Sequence, residues 1–221
     1  MSHLTPPNAK DALVAFAANA AVYVLLGLQG FVMIKMDIPR TLAVVSLVVP
    51  TWLLIRYMRG RGLELGFTPL GKDGWHLLWR IPVLILAAGI ATGAVAPLLG
   101  LQPDPDTAAE SIAGDATNAL PIVLVLAGYL LLGPFIEEIV FRRVLLNYFD
   151  TLMPAWVSIV LSALIFGLVH LAPQAIIYTF FYGIGLAWLA RLHRGITGSF
   201  IAHLANNAVA SLGVFAALFA L

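Results

Sequence analysis

The chain has 221 residues, 61% hydrophobic and only 10% charged, with a formal net charge of +1. A soluble domain carries about 25% charged residues, so this composition, with a mean hydropathy of +0.97, describes a polytopic membrane protein surrounded by lipid. The lack of a basic stripe excludes a nucleic-acid partner, and the absence of cysteine removes thiol nucleophiles, thiolate metal ligands and disulfides.

Hydropathy predicts about seven spans, near residues 13–34, 42–57, 77–99, 119–140, 156–171, 176–190 and 196–218. The expected fold is all-α: one transmembrane helix bundle over residues 1–221 with a buried polar cavity. The polar start, Met1 to Asp11, does not read as a cleavable signal peptide. The loop after the second span carries Arg59, Arg61 and Lys72, the fourth span ends at Arg142 and Arg143, and Arg191 and Arg194 precede the last span. The loop after the third span has Asp104, Asp106, Glu110 and Asp115 and no basic residue. Basic loops face the cytoplasm, which predicts an N-terminus inside and a C-terminus outside; the expected location is a prokaryotic plasma membrane. Lys35 and Arg40 run against this pattern, partly offset by Asp37. Gly89-x-x-x-Gly93 in the third span reads as a close helix contact, and Gly183 and Gly185 in the sixth as the same or as space beside a polar site.

Three short patterns stand out against this apolar background: Glu137-Glu138-x-x-x-Arg142, Phe166-x-x-x-His170 and His203-x-x-x-Asn207. A charge at the bilayer centre costs about 2.5–3.5 kcal/mol on insertion scales, so these groups need a shared purpose. Gly133-Pro134 before the first pattern predicts a break in the fourth span. Glu138 and Arg142 share a helix face and suit an ion pair that supports the site. Glu137 points elsewhere and suits a general base that takes a proton from water and returns it to a leaving amine. The competing reading makes all three charges a structural knot. His203 and Asn207 also share a face; they suit donation to an oxyanion, or His203 joins Glu137 and His170 around a divalent metal such as zinc.

In this order and spacing, the three patterns resemble those of the CPBP family of intramembrane proteases, also called the Abi or CAAX protease family, which includes the type II CAAX prenyl endopeptidases. Phe-Ile-Glu-Glu-Ile-Val-Phe-Arg-Arg, Phe-Gly-Leu-Val-His and His-Leu-Ala-Asn-Asn carry the resemblance, which covers residues 119–213. It implies a membrane endopeptidase acting on a prenylated protein, a leader peptide or another membrane-associated protein. Glu137 would activate water, His170 help hold it, and His203 and Asn207 stabilise the tetrahedral oxyanion, while Glu138 and Arg142 shape the site. The family has been described both with and without a metal. Carboxylate-plus-water chemistry needs none, and the metal-free form is the expectation.

Two other classes fit less well. A proton-coupled transporter also keeps intramembrane Glu, His and Arg, but usually shows internal symmetry. A non-catalytic scaffold or immunity protein would hold a peptide or lipid in the same cavity. The catalytic reading also carries a geometric demand. With the predicted spans, Glu137 and His203 lie within about 5–10 Å of the basic helix ends and His170 about 20 Å along its own span. Straight helices would not bring them together, so irregular helices are expected.

Overall fold

A computed structural model describes residues 4–36, 43–101 and 127–212. Among these residues the chain is helical, without strands. Helix α1 is Ala9–Met36, α2 is Ala43–Gly60 and α3 is Leu77–Val95. Short 3₁₀ turns, Gly71–His76 and Pro97–Leu99, flank α3. The next helix, α4, joins four stretches: π-helical Gly128–Leu132, α-helical Gly133–Glu137, π-helical Glu138–Leu145 and α-helical Leu146–Phe149. Then follow α5 (Ala155–Leu168), α6 (Pro173–Leu192) and α7 (Thr197–Ala210).

By length and composition, Ala9–Leu28, Gly71–Leu99 and Pro173–Leu192 are able to cross a membrane, and Ala155–Leu168 is apolar but shorter. The acidic residues 104–115, Asp37 and Arg40 lie outside the described residues.

Helix α4 is the centre of the bundle. Residues 136–146 are buried on every side, and α4 packs against α1, α2, α5, α6 and α7, with α3 outside against α6 and α7. This helix runs on to Phe149, past the predicted end at 140. The sequence reading stopped it early because Arg142 and Arg143 look like loop charges, yet both are fully buried. A π-helix is wider than an α-helix and re-spaces its carbonyls. Side chains meet them here: Ser162 Oγ donates to Phe141 O at 2.9 Å, and Asn147 Nδ2 donates to Arg143 O at 2.6 Å.

The basic segments gather at one end of the bundle. Arg143 donates to Glu64 O (2.7 Å), Thr5 O (2.8 Å) and Glu64 Oε2 (3.2 Å). This ties the start of the chain and the α2–α3 connection to α4. Hydrogen bonds from its own backbone N–H and from Thr5, with the charge of Arg143, hold the Glu64 carboxyl below its usual range against desolvation. Gly66 has φ +89° and lies so close to Arg143 that a Cβ would sit 2.7 Å from its Cδ. Further along, Ile196 N–H donates to Gly66 O (2.8 Å), and Thr197 Oγ1 accepts from Thr68 N–H (3.0 Å) and donates to Thr68 O (2.6 Å). Phe67 inserts beside Phe135 and Phe200, with ring centroids 5.6 and 5.5 Å away. Arg191 pairs with Asp150 at the same end.

The glycine expectations divide. Beside Gly89 and Gly93 an added Cβ would meet nothing within 4 Å among the described residues, so the pair makes no close contact there. Gly183 is a contact site: its Cβ would lie 3.0 Å from Phe166 Cδ1, and that of Gly185 2.7 Å from Leu84 Cδ2.

Candidate active site

A cavity of about 670 Å³ lies inside the bundle, and Glu137, His170, His203 and Asn207 all line it. Its wall is otherwise largely apolar and aromatic, with Val22, Leu26, Leu47 and Tyr129 among the lining residues, so it is mixed rather than polar as expected. The geometric tension eases on the Glu137 side because α4 extends to Phe149. Glu137 lies twelve residues before that end, beyond the whole π-helical stretch, and so several turns from it. Glu137 therefore sits mid-bundle, where the far end of α5 reaches it. Phe166 is the spacer: its ring centroid is 4.9 Å from that of His170 and 5.7 Å from that of His203, both edge-on.

The expected break at Gly133-Pro134 is instead a change of helix type with a consequence for the site. Gly133 N–H reaches back to Gly128 O in the π turn. Pro134 has no N–H to offer the next carbonyl, that of Tyr129. A carbonyl that has lost its helical donor needs another, and Asn207 Nδ2 supplies it at 3.1 Å. The Asn207 Oδ1 accepts from Asn206 Nδ2 at 3.4 Å, and Asn206 Oδ1 accepts from Tyr178 Oη. These contacts fix which way the Asn207 amide faces.

The two glutamates divide as their helical angle implies. Glu138 is fully buried; its Oε1 lies 3.0 Å from His203 Nδ1 and 3.7 Å from Arg142 Nη1. Arg142 is also fully buried, and its guanidinium carbon stands 4.0 Å over the Phe166 ring, a cation–π contact. Glu137 is 9% exposed. Its Oε2 is 3.5 Å from His203 Nε2, and its Oε1 accepts from Tyr23 Oη at 2.9 Å. Residues from α1, α4 and α7 thus form one chain: Tyr23, Glu137, His203, Glu138, Arg142.

Proton positions follow from the acceptors. A carboxylate accepts, so His203 Nδ1 carries hydrogen toward Glu138. The opposite nitrogen, Nε2, faces a second carboxylate, and that contact is attractive when the pair shares a proton. His170 Nδ1 donates to Phe166 O at 2.8 Å, which leaves Nε2 as the ring nitrogen able to accept.

Among the described residues no three His, Asp or Glu are grouped to hold a metal. His203 turns both ring nitrogens to carboxylates, Nε2 toward Glu137 and Nδ1 toward Glu138.

The cavity lies in the half of the bundle away from the basic end. Leu47 is near the start of α2, Thr92 near the end of α3, Gln174 near the start of α6 and Ala210 at the end of α7, and all four line it. The α2–α3 connection laces the basic end instead, through Arg143 to Glu64 and Thr197 to Thr68. Tyr23 is the site residue that sequence reading missed. It belongs to no motif; the one available signal is a phenol in mid-span, which needs a partner when buried.

Residues 119–209 match the family model described as type II CAAX prenyl endopeptidase Rce1-like. That segment holds Glu137, Glu138, Arg142, His170, His203 and Asn207, and the match supports the CPBP/CAAX protease family as the one the chain resembles. No curated protein and no solved structure matches the chain.

Proposed function

Starting from that CAAX protease resemblance, which implies a protease of the membrane, we propose that the chain is an intramembrane endopeptidase of the glutamate type, with seven spans and its basic end in the cytoplasm. The observation that carries the reading is Glu137, held by Tyr23 on one oxygen and facing His203 with the other, on the wall of a cavity shared with His170 and Asn207.

Glu137 takes a proton from a water that also donates to His170 Nε2. The resulting hydroxide attacks the carbonyl carbon of a peptide bond. The oxygen of that carbonyl becomes the oxyanion, and His203 Nε2–H and an Asn207 N–H donate to it. Glu138 keeps His203 in the orientation that presents Nε2, and its charge supports an imidazolium. The C–N bond then breaks, and the proton held by Glu137 passes to the leaving amine. The groups needed are all side chains of this protein, so no cofactor enters the scheme. With the basic end inside, a membrane-associated protein or peptide reaches the site through the outer half of the bilayer.

The test is comparative proteomics of cells carrying wild-type or Glu137→Gln protein. Fragments that vanish in the variant identify the substrate; identical fragment sets in both would refute the peptidase reading. The competing scaffold reading keeps binding but predicts no such fragments.

A further inference from the structure

We propose that Tyr23 is a positioning residue for the general base: it fixes the Glu137 carboxylate so that Oε2, on the His203 side, is the oxygen that takes the proton. This rests on the peptidase reading above. Tyr23 lies in α1, outside the segment that matches the family model, so the catalytic segment is incomplete without the N-terminal helix.

The placement is built by packing. Ala12, Ala15, Asn19 and Val22 are buried at helical spacing along one face of α1, and α1 packs against the Glu138–Leu145 stretch of α4. Tyr23, next to that stripe, lines the cavity beside Glu137. Its hydroxyl lies 2.9 Å from Glu137 Oε1, and since a carboxylate only accepts, the phenol donates.

The terminal torsion of a glutamate is soft and roughly two-fold, so nothing in the side chain itself distinguishes its oxygens. Here each has its own partner: Tyr23 for Oε1, His203 for Oε2. A phenol stays protonated at neutral pH, so Tyr23 remains a donor through the cycle and never competes for the proton. Oε2 is left to exchange it with water and with the leaving amine, while the carboxylate plane stays fixed. Holding a base in this way is worth rate rather than affinity.

The test uses the full chain in detergent and two readouts. Infrared difference spectroscopy first assigns the Glu137 carboxyl band as the one lost in Glu137→Gln; Tyr23→Phe should move that band. Steady-state cleavage of a peptide that wild type cleaves and Glu137→Gln does not then compares Tyr23→Phe with Tyr23→His, which keeps an N–H donor. The expected result is a kcat lower by about tenfold or more in Tyr23→Phe, the size of one hydrogen bond to a charged group. KM and the melting midpoint should be unchanged, and Tyr23→His should recover part of kcat. An unmoved band, a full kcat in Tyr23→Phe, or no advantage of His over Phe overturns the proposal. A Tyr23→Phe protein that loses its fold together with turnover marks a structural role and also overturns it. Absence of Glu137-dependent cleavage in wild type is a failure of the peptidase reading, visible before Tyr23 is changed, and it removes this proposal with it.

Discussion

His203 Nδ1 stands 3.0 Å from Glu138 Oε1, both side chains buried. That contact gives Glu138 a second task beside its pairing with Arg142: it fixes the ring orientation of the histidine whose Nε2 faces Glu137. Glu138→Gln keeps the volume and an acceptor oxygen but removes the charge that supports an imidazolium. The expected outcome is a fall in kcat of about 10–100-fold, the usual cost of disturbing such an outer partner, with KM little changed. Steady-state kinetics of the variant check it; an unaltered kcat would leave Glu138 a purely architectural group.

Arg142→Ala should act on stability first. The guanidinium is fully buried, 3.7 Å from Glu138 and 4.0 Å from the Phe166 ring centroid. Removing it leaves Glu138 without its cation in a closed interior, a loss of about 3–5 kcal/mol. Thermal or denaturant unfolding in detergent measures it, and a loss below about 1 kcal/mol, the scale of an exposed pair, would contradict the assignment.

Pro134→Ala tests how the helix type orients Asn207. The alanine brings back an N–H able to take the Tyr129 carbonyl that Asn207 Nδ2 now meets at 3.1 Å. The protein should fold at least as well, because proline inside a helix is unfavourable. Turnover should nevertheless drop by about tenfold, short of the 10²–10³ seen when an oxyanion donor is deleted outright. A kinetic comparison at matched folded fraction decides it; equal kcat would detach Pro134 from the site.

Glu64→Gln tests the lacing of the basic end through pH. The folded carboxyl sits below its ordinary 4.5, so its contribution to stability is present above that value. It is lost as pH falls through the lowered folded value. Melting midpoints of wild type and variant should differ at neutral pH and converge under acid. A gap that does not depend on pH would show that the Glu64 charge contributes nothing there.

Much of the candidate site was legible because its residues announce themselves: carboxylates, imidazoles and an arginine are costly in lipid, and helical spacing sorts them into faces. Thus Glu138 was separable from Glu137, and the pairing of Glu138 with Arg142 was readable from their four-residue offset. The need for irregular helices followed from the mismatch in depth between His170 and the pair Glu137 and His203. What was not legible depended on burial that sequence does not display. Arg142 and Arg143 mark a loop by charge, yet carbonyls of Thr5 and Glu64 and the ring of Phe166 take them inside, and that moved the end of α4. Tyr23 was invisible because a tyrosine amid Val22, Val24 and Leu25 has no pattern to join. The Gly89-x-x-x-Gly93 spacing permits a close contact without requiring one, and among the described residues none forms.

The central claim concerns one carboxylate, so the most direct measurement is hydrolysis by Glu137→Gln on a substrate that wild type cleaves. Glutamine has the same shape and still accepts from Tyr23, but it cannot take a proton from water. Loss of all measurable turnover, with melting behaviour close to wild type, is the result expected of a glutamate-type peptidase. Turnover retained at the wild-type rate would contradict Glu137 as the base and, with it, the mechanism built around it.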